Sequence, residues 1–332
     1  QDRYKQKLTS GEEAVGVVHS GDRVVLSHCA GESLTLSRAL VERAPNLEDV
    51  TIIHFLMLGP NRFCKPGMEK HFTHLSLFTG ESVRGAVNSG RAEFIPCFFS
   101  EVPRLFREGY LPVDRALIHV SPPDEHGFMS FGVAVDYTKI AARYAKTVVA
   151  AVNPRMPRTH GDSFIHVSEV DCLAEVEEPV IAVPLPEIGP VEEAIGRHVA
   201  SLVEDEATLQ LGIGAIPDAV LKFLTGKKDL GIHTEMFSDG VVDLVEAGVI
   251  NNEAKSIHRG KLIATFLMGT RRLYDFVHDN PAVEMHTVDY TNDPVVIGRN
   301  HKMVSVNGAL EVDLTGQVCA DSVETALKQN PN

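Results

Sequence analysis

Short apolar runs rich in β-branched residues alternate along this chain with segments of helical periodicity. Such alternation is typical of α/β proteins with largely parallel sheets, because each parallel crossover needs a connecting helix. In the first half, the predicted strands are 22–27, 50–56, 93–98, 115–120, 147–152 and 164–170, and the predicted helices between them are 33–43, 82–89, 101–108 and 136–144.

The chain divides near a cluster of prolines. Pro179, Pro184, Pro186 and Pro190 fall within a short stretch, and each restricts its predecessor to extended conformations. A length of 332 residues with 44% hydrophobic content also favours two domains. We therefore predict an N-terminal domain over 1–186 and a C-terminal domain over 187–332. The second contains predicted helices at 191–203, 216–224 and 241–247 and predicted strands at 208–211 and 262–268.

Composition excludes several classes of partner. A formal net charge of −14 argues against nucleic acid and anionic membrane surfaces. The apolar runs are too short to span a bilayer, and no secretory leader opens the sequence. The five cysteines are widely spaced, with no C-x-x-C pair, so neither a disulfide framework nor a structural zinc site is indicated. A cytoplasmic location is the simplest expectation.

One carboxylate follows an apolar run of the second domain. In segment 230–240, LGIHTEMFSDG, Glu235 comes just after a predicted buried strand, between glycines that let a backbone approach a ligand closely. Ligands of open α/β sheets bind beyond the carboxyl ends of strands, and a carboxylate needs no base to act as a nucleophile. The alternative is a structural carboxylate near a helix start or paired with an arginine.

A glycine loop lies upstream. Segment 209–217, LQLGIGAIP, joins a predicted strand to a predicted helix, and its amides can cradle a phosphate. A plain tight turn is the simpler explanation. A dinucleotide-binding fingerprint is another alternative, with Glu235 near the distance of its acid, but Pro217 stands where its third glycine is needed.

Histidines raise the question of a metal site. His71 and His74 are three residues apart and are suited to one helix face, but they lack the carboxylate of an H-E-x-x-H site. The loop at Asp124 to His126 is also unsuitable, because adjacent residues of an extended segment point to different sides. No metal ligands are predicted.

Several segments in order resemble the acetyl-CoA hydrolase/transferase family, in particular its 4-hydroxybutyrate and butyrate:acetate CoA-transferase branch. Segment 230–240 resembles the family's catalytic-glutamate motif, and 209–217 its glycine loop. The other matching segments are 120–132 (VSPPDEHGFMSFG), 153–162 (NPRMPRTHGD), 290–294 (YTNDP) and 307–313 (NGALEVD).

The resemblance implies a two-domain CoA-transferase-like fold with the active site between the domains. It implies Glu235 as the catalytic nucleophile, a ping-pong cycle through a glutamyl-CoA thioester, no permanently bound cofactor, and coenzyme A and a short-chain carboxylate as substrates. A homo-oligomer, specifically a dimer, is expected. The residues expected to bind CoA are Gln210, Gly212, Ile213, Gly214, Ala215, Asn292 and Arg155, and those expected in the substrate loops are Pro123, His126, Gly127 and Met156.

Other functions stay open at this stage. An acyl-CoA hydrolase would use the same Glu235 but admit water, and a CoA-binding sensor would use the same loops without catalysis. Arg155 and Arg158 are suited to CoA phosphates and equally to ion pairs with surface acids. The family pattern continues beyond 320–322 with a further glycine-rich loop, whereas 323–332 do not match it. The C-terminal domain of this sequence is therefore expected to be incomplete.

Overall fold

A computed structural model describes residues 2–320 of the chain. The strands up to residue 175 are β1 (Leu8–Thr9), β2 (Arg23–Leu26), β3 (Val50–His54), β4 (Phe72–Ser76), β5 (Ala92–Phe94), β6 (Arg115–Val120), β7 (Phe128–Ser130), β8 (Thr147–Val152), β9 (His160–Gly161), β10 (Phe164–His166) and β11 (Cys172–Glu175). The α-helices of this part are α1 (Asp2–Lys7), α2 (Gly11–Ala14), α3 (Leu34–Glu42), α4 (Glu81–Asn88), α5 (Val102–Arg107) and α6 (Thr138–Tyr144). Single 3₁₀ turns occur at Val15–Val17, Ala44–Asn46, Phe99–Glu101 and Val167–Glu169.

The second half continues the alternation. Its helices are α7 (Pro190–Leu202), α8 (Ala215–Lys222), α9 (Asp239–Glu246), α10 (Arg271–Val277), α11 (Val288–Thr291) and α12 (Pro294–Ile297). Its strands are β12 (Thr208–Leu211), β13 (Gly231–Ile232), β14 (Met236–Phe237), β15 (Leu262–Ala264), β16 (Phe266–Leu267), β17 (Val283–Met285), β18 (Met303–Val306), β19 (Glu311–Val312) and β20 (Val318–Cys319).

One large sheet organises the first half. Its strand order is β1-β11-β8-β6-β2-β3-β4-β5, and every neighbouring pair is parallel. Strands such as β8, with sequence TVVAAV, are buried along nearly their whole length, as a sheet covered on both faces requires. The predicted α/β class with a parallel sheet is confirmed. Chain order reverses between β2 and β6, and ligands of such sheets bind beyond the strand ends at that point.

The second half forms smaller sheets that join the first. β13, β12 and β18 make a parallel sheet, β14 pairs with β16, and β15 and β17 pair in parallel. β17 also pairs with β9, which comes from the first half of the chain. One apolar core contains residues from both halves, for example Ile118 and Ile232. The boundary at 186/187 stays a prediction.

The predicted bounds agree with the structure for strands that are continuous runs of buried residues. Strands 115–120 and 147–152 have the predicted bounds. The placement of His71 and His74 on a helix face is wrong: His71 precedes β4 and His74 lies in it, buried. The predicted strand 262–268 is two strands, β15 and β16, interrupted at Thr265. Among the described residues, no helix has the length and apolar content needed to cross a membrane.

Candidate active site

Glu235 lies in an interruption between two short strands. β13 ends at Ile232, which is fully buried, and β14 begins at Met236, so the prediction that this glutamate follows a buried strand is confirmed. The Glu235 carbonyl accepts hydrogen bonds from two successive amides, those of Thr265 at 3.0 Å and Phe266 at 3.2 Å. One residue opposite two is the arrangement of a β-bulge, which redirects a side chain.

The Glu235 side chain is half-buried and hydrogen-bonded. Asn292 donates from Nδ2 to its Oε2 at 2.5 Å. Burial raises the pKa of the Glu235 carboxyl above its ordinary value, as does nearby Asp136, while the Asn292 hydrogen bond and nearby His28 lower it. The carboxylate is therefore weakly hydrated but held by a donor, which suits a nucleophile that has to be ionised yet not masked by water.

Glu235 borders a cavity of about 210 Å³. Three of the predicted site residues, Gln210, Glu235 and Asn292, come together in its wall. The remaining lining residues are His233, Thr234, Thr291, Ile297, Met303 and Ser305. The cavity is large enough for a small acyl or carboxylate group beside the carboxylate.

Gln210 is fixed in this cavity by Ser305 on β18 and by Asn307, the residue after that strand. Its Nε2 donates to Oδ1 of Asn307 at 3.1 Å, and Nδ2 of Asn307 donates back to its Oε1 at 3.0 Å. Ser305 also donates to Oε1 of Gln210. A side-chain amide with both ends held in this way presents one orientation to a ligand.

The predicted glycine loop joins β12 to α8, as the sequence indicated. Gly214 has φ +120°, which favours glycine, and a Cβ on Gly212 would lie 2.7 Å from Oδ1 of Asn307. The Gly212 amide donates to Val306 O at 2.8 Å and is therefore not free for a ligand. The amides of Ile213 and Gly214 have no acceptor among the described residues.

The same loop borders a second cavity, of about 150 Å³. Gly212, Ile213 and Gly214 form one wall, and Met236, the neighbour of Glu235, contributes to another. Ala215 begins α8 directly after the loop. The opposite wall comes from the proline-rich segment 183–186 and from residues 268–269.

His233 ties the Glu235 segment to α11. The ring is 1% exposed, and its Nε2 donates to Thr291 O at 2.8 Å, next to Asn292 in the chain. Burial lowers the pKa of His233 to about 4, so the ring is neutral near neutral pH. This contact keeps Asn292 within hydrogen-bonding distance of the Glu235 carboxylate.

A buried pair beside Glu235 escaped the sequence analysis. Nδ1 of His28 lies 3.0 Å from Oδ2 of Asp136, and both side chains are fully buried. The other oxygen of Asp136 accepts the amides of Tyr137 and Thr138. The carboxylate thus makes Nδ1 a donor, and Nε2 has no partner among the described residues.

The contacts of His28 connect it to the segment that contains Glu235. Its ring packs against Phe266, with centroids 4.7 Å apart, and the Phe266 amide binds the Glu235 carbonyl. The Asp136 amide and the Thr265 carbonyl are 3.3 Å apart in a hydrogen bond, so the two halves of the chain meet here. The sequence did contain one indication that His28 is functional. It directly follows the predicted strand 22–27, and that strand ends where the chain order of the sheet reverses, which is where ligands of such sheets bind.

Arg155 and Met156 do not line the cavity that Glu235 borders. Arg155 forms an exposed ion pair with Glu177 at 3.1 Å, and it borders a cavity of about 370 Å³ together with Arg271 and His278. Met156 borders the same cavity but is 1% exposed and belongs to the apolar core. Arg158 binds Asp124 at 2.6 Å rather than standing free.

The loop containing Pro123, His126 and Gly127 is not brought to Glu235. It is fastened by Asp124, whose Oδ1 accepts the His126 and Phe128 amides at 2.9 Å. These loop residues border a cavity of about 720 Å³ whose other walls include residues 2–5. That cavity shares no lining residue with the one at Glu235.

Comparison with known proteins is consistent with this geometry. Residues 1–184 match the acetyl-CoA hydrolase/transferase N-terminal domain, and 269–329 match the C-terminal domain of the same family. The second match extends past the point where the sequence motifs had ended, although 321–332 lie outside the described residues.

Several relatives that are 35–55% identical to this chain are named CoA-transferases. The chain is 55% identical to the 4-hydroxybutyrate coenzyme A transferase of Clostridium kluyveri, over 99% of this chain and 76% of that protein. It is 35% identical to the butyryl-CoA:acetate CoA-transferase of Anaerostipes caccae, over 99% and 75%. A relative named acetyl-CoA hydrolase, from Candida albicans, is 21% identical.

A solved structure gives the same result for the fold. The chain superposes on the 4-hydroxybutyrate CoA-transferase of Porphyromonas gingivalis with a TM-score of 0.85 and 43% identity, covering 96% of this chain and 77% of that one. Domain matches, relatives and fold agree, and the chain belongs to the acetyl-CoA hydrolase/transferase family.

Proposed function

We propose that this chain transfers CoA between a short-chain acyl-CoA, of the 4-hydroxybutyryl or butyryl type, and acetate, with Glu235 as the nucleophile. The observation that carries the proposal is the half-buried Glu235 carboxylate, held by Asn292 at the edge of a cavity. Its family membership and the names of its relatives support an acyl-CoA:carboxylate CoA-transferase.

The cycle follows from carboxylate chemistry. The Glu235 carboxylate attacks the thioester carbonyl, and the C–S bond breaks to give an acyl-glutamyl anhydride and CoA thiolate. The thiolate attacks the Glu235 side-chain carbonyl, forming a glutamyl-CoA thioester and releasing the acyl carboxylate. Acetate then attacks that thioester, and the thiolate attacks the resulting acetyl anhydride, which gives acetyl-CoA and regenerates Glu235. No proton, ATP or metal is consumed.

Each tetrahedral intermediate needs donors for its oxyanion, and such a donor contributes about 3–4 kcal/mol in other enzymes. The amides of Ile213 and Gly214 and the side-chain amide of Gln210 are the candidates at the cavities beside Glu235. Gly212 has a steric role, because its own amide is bound to Val306. Ala215 starts the helix whose N-terminus faces the loop.

The longer part of CoA is assigned to the cavity bordered by Arg155, Arg271 and His278. Neighbouring residues of two segments line the two cavities: 179, 180, 182 and 271 border this one, and 183–186, 268 and 269 border the one at the glycine loop. Cationic side chains there suit phosphate groups. The roles of Pro123, His126, Gly127 and Met156 stay predictions, and the burial of Met156 does not support direct substrate contact.

The acyl group is proposed to approach His28. Asp136 pairs with Nδ1 of His28, and Nε2, which has no partner among the described residues, lies amid Phe55, Phe99 and Phe266. His28 is fully buried and borders neither of the two cavities beside Glu235, so an acyl chain reaches it only if the surrounding aromatic rings move. In that arrangement the unpartnered Nε2 would distinguish a chain that ends in a hydroxyl group from butyryl.

The alternatives are less well supported. A hydrolase would have to admit water beside a carboxylate that burial has already desolvated, and the relative named as one is distant. A non-catalytic CoA sensor would not need the Asn292–Glu235 contact. We further propose a homodimer in the cytoplasm; Cys29, Cys64, Cys97 and Cys172, which form no disulfide, suit a reducing compartment.

The test is product analysis with the full chain. 4-Hydroxybutyryl-CoA and butyryl-CoA are each incubated with and without acetate, and acetyl-CoA and free CoA are quantified. The proposal predicts acetate-dependent acetyl-CoA with little free CoA. Free CoA released at the same rate without acetate would identify a hydrolase, and no turnover would favour the sensor.

A further inference from the structure

A second polar cluster lies near the proposed active site but outside its machinery. It consists of His258, on the loop after residue 252, Glu284 on β17, and His286 just beyond that strand. Each of these side chains is partly accessible to solvent. We propose that these three residues bind a divalent transition-metal ion of the Zn²⁺ class, with a structural role beyond the proposed CoA-transferase function.

The spacing of the donor atoms fits such an ion. The three residues each offer one ligand atom, and these atoms lie within 4.8 Å of one another. Oε2 of Glu284 is 3.4 Å from Nδ1 of His258 and 3.3 Å from Nε2 of His286. Ligands of a tetrahedral Zn²⁺, each about 2.0–2.2 Å from the metal, lie about 3.3–3.6 Å apart. Two edges of the required tetrahedron are therefore already present.

The surrounding contacts orient the ligands. Nε2 of His258, the ring nitrogen opposite the proposed ligand, lies 2.5 Å from the Tyr290 hydroxyl. Metal-bound histidines commonly donate from their second nitrogen in this way, which fixes the tautomer that leaves the first nitrogen free to bind. His258 also has φ +50°, an unfavourable backbone conformation for a residue with a side chain.

The two lysines near this cluster do not occupy the proposed metal position. Nζ of Lys261 lies 3.6 Å from Oε1 of Glu284, the oxygen that does not face the histidines. Lys255, the other amine in this region, donates to the carbonyls of Ile232 and Lys261. Oε2 of Glu284 is thus left to the two imidazoles, and two imidazoles with one carboxylate are a donor set that Zn²⁺ accepts.

Binding of a metal ion at this cluster would affect the position of active-site residues through α11. Tyr290, the proposed outer partner of His258, is followed by Thr291, whose carbonyl binds His233, and by Asn292, which binds Glu235. An ion that fixes His258 and β17 would stiffen the segment that presents Asn292. The site therefore carries a structural role that is separable from the chemistry.

No sequence motif predicts this cluster. His258 and His286 are 28 residues apart, and no motif spacing links them to Glu284. They meet because β15 and β17 are paired and the loop before β15 folds over them.

The experiment is metal titration of the chelator-treated full chain. Zn²⁺ binding is measured by calorimetry, and Co²⁺ is added separately to record the intense visible bands of a four-coordinate ion. We expect one ion of either metal per chain and a Zn²⁺-dependent rise in melting temperature. The double variant His258→Ala/His286→Ala should lose both signals, and Glu284→Gln, which preserves size, should weaken Zn²⁺ binding strongly.

Two further variants separate a built site from adventitious binding. Tyr290→Phe keeps every ligand and should weaken Zn²⁺ affinity by roughly 10- to 100-fold, as loss of an outer partner does. His198→Ala removes an exposed histidine of α7 and should change nothing. Absence of stoichiometric Zn²⁺ binding in the parent, or equal affinity in the double variant, would overturn the proposal, and the cluster would then be an ion-pair network only. CoA transfer is assayed separately, so failure of the metal site and failure of the proposed CoA-transferase function are distinguished.

Discussion

Asn292, the residue that follows α11, donates a hydrogen bond from its side-chain amide to the Glu235 carboxylate, 57 residues away in the chain. The two residues belong to separate sequence motifs, and the contact between His233 and Thr291 holds those motifs in register. The hydrogen bond favours the ionised carboxyl, whereas burial opposes it. The balance of the two sets the pH range over which Glu235 can attack.

Replacing Asn292 by alanine should therefore impair transfer and shift its pH dependence. The hydrogen bond lowers the pKa of Glu235, so its loss raises that pKa, and the acidic limb of the kcat/KM profile moves to higher pH. A hydrogen bond to a charged group contributes about 1.5–3 kcal/mol, which corresponds to a loss of roughly 10- to 100-fold in activity. The pH–rate profile of the variant checks this. Asn46→Ala, an exposed change, is the control, and an unshifted profile would remove Asn292 from the account.

Glu235→Asp should separate transfer from hydrolysis. The substitution keeps the charge but withdraws the carboxylate by about 1.5 Å, one C–C bond. A displacement of about 1 Å can cost roughly 100-fold when attack geometry is tight. We expect transfer to collapse while slow thioester hydrolysis persists, because the vacated space admits water. Acetyl-CoA and free CoA are measured in parallel. Transfer close to the parent rate would show that another group attacks.

His28→Ala should alter the preference for the acyl group. If Nε2 of His28 accepts from a substrate hydroxyl, its removal penalises 4-hydroxybutyryl-CoA more than butyryl-CoA. A neutral hydrogen bond of about 0.5–1.5 kcal/mol predicts a change of roughly 2- to 12-fold in the ratio of the two kcat/KM values. Competition between the substrates measures that ratio directly. Equal losses for both would assign His28 a packing role only.

His233 makes stability depend on mildly acidic pH. Its folded pKa of about 4 lies below the ordinary value of 6.5, so only the unfolded chain takes up this proton between those values. Stability is present above pH 6.5 and is lost as pH falls toward 4. For this ring alone the loss between pH 7 and pH 5 is about 2 kcal/mol.

The comparison variant is His233→Gln, which retains an N–H donor for Thr291 but does not titrate. Urea unfolding at the two pH values should show a smaller difference for this variant than for the parent. His54 and His74, whose pKa values are also lowered by burial, titrate in both proteins and cancel in the comparison. An unchanged difference would mean that His233 is protonated equally in the folded and unfolded states.

Local patterns predicted much of this molecule, and the failures have a common cause. Strands 115–120 and 147–152 are continuous apolar runs, and the structure reproduces their bounds. The interruption at Thr265 and the pairing of His28 with Asp136 depend on contacts between distant segments, which periodicity does not encode. His71 and His74 were misassigned because a three-residue spacing favours a helix face only where a helix exists.

The site itself was predictable in part. Glu235, Gln210 and Asn292 were expected from their motifs, and the structure places them around one cavity. The loop of Pro123 and His126 was expected beside them but borders a different cavity. A sequence motif indicates which residues are important in a family, but it does not indicate which of them are in contact in the folded protein.

The central claim is that Glu235 carries CoA covalently during turnover. The most direct measurement is to incubate the chain with butyryl-CoA and no acceptor, digest it, and locate the CoA adduct by mass spectrometry. The account predicts a hydroxylamine-sensitive adduct on the peptide containing Glu235, absent in Glu235→Ala. An adduct on another carboxylate, or a Glu235→Ala protein that still transfers CoA, would contradict it.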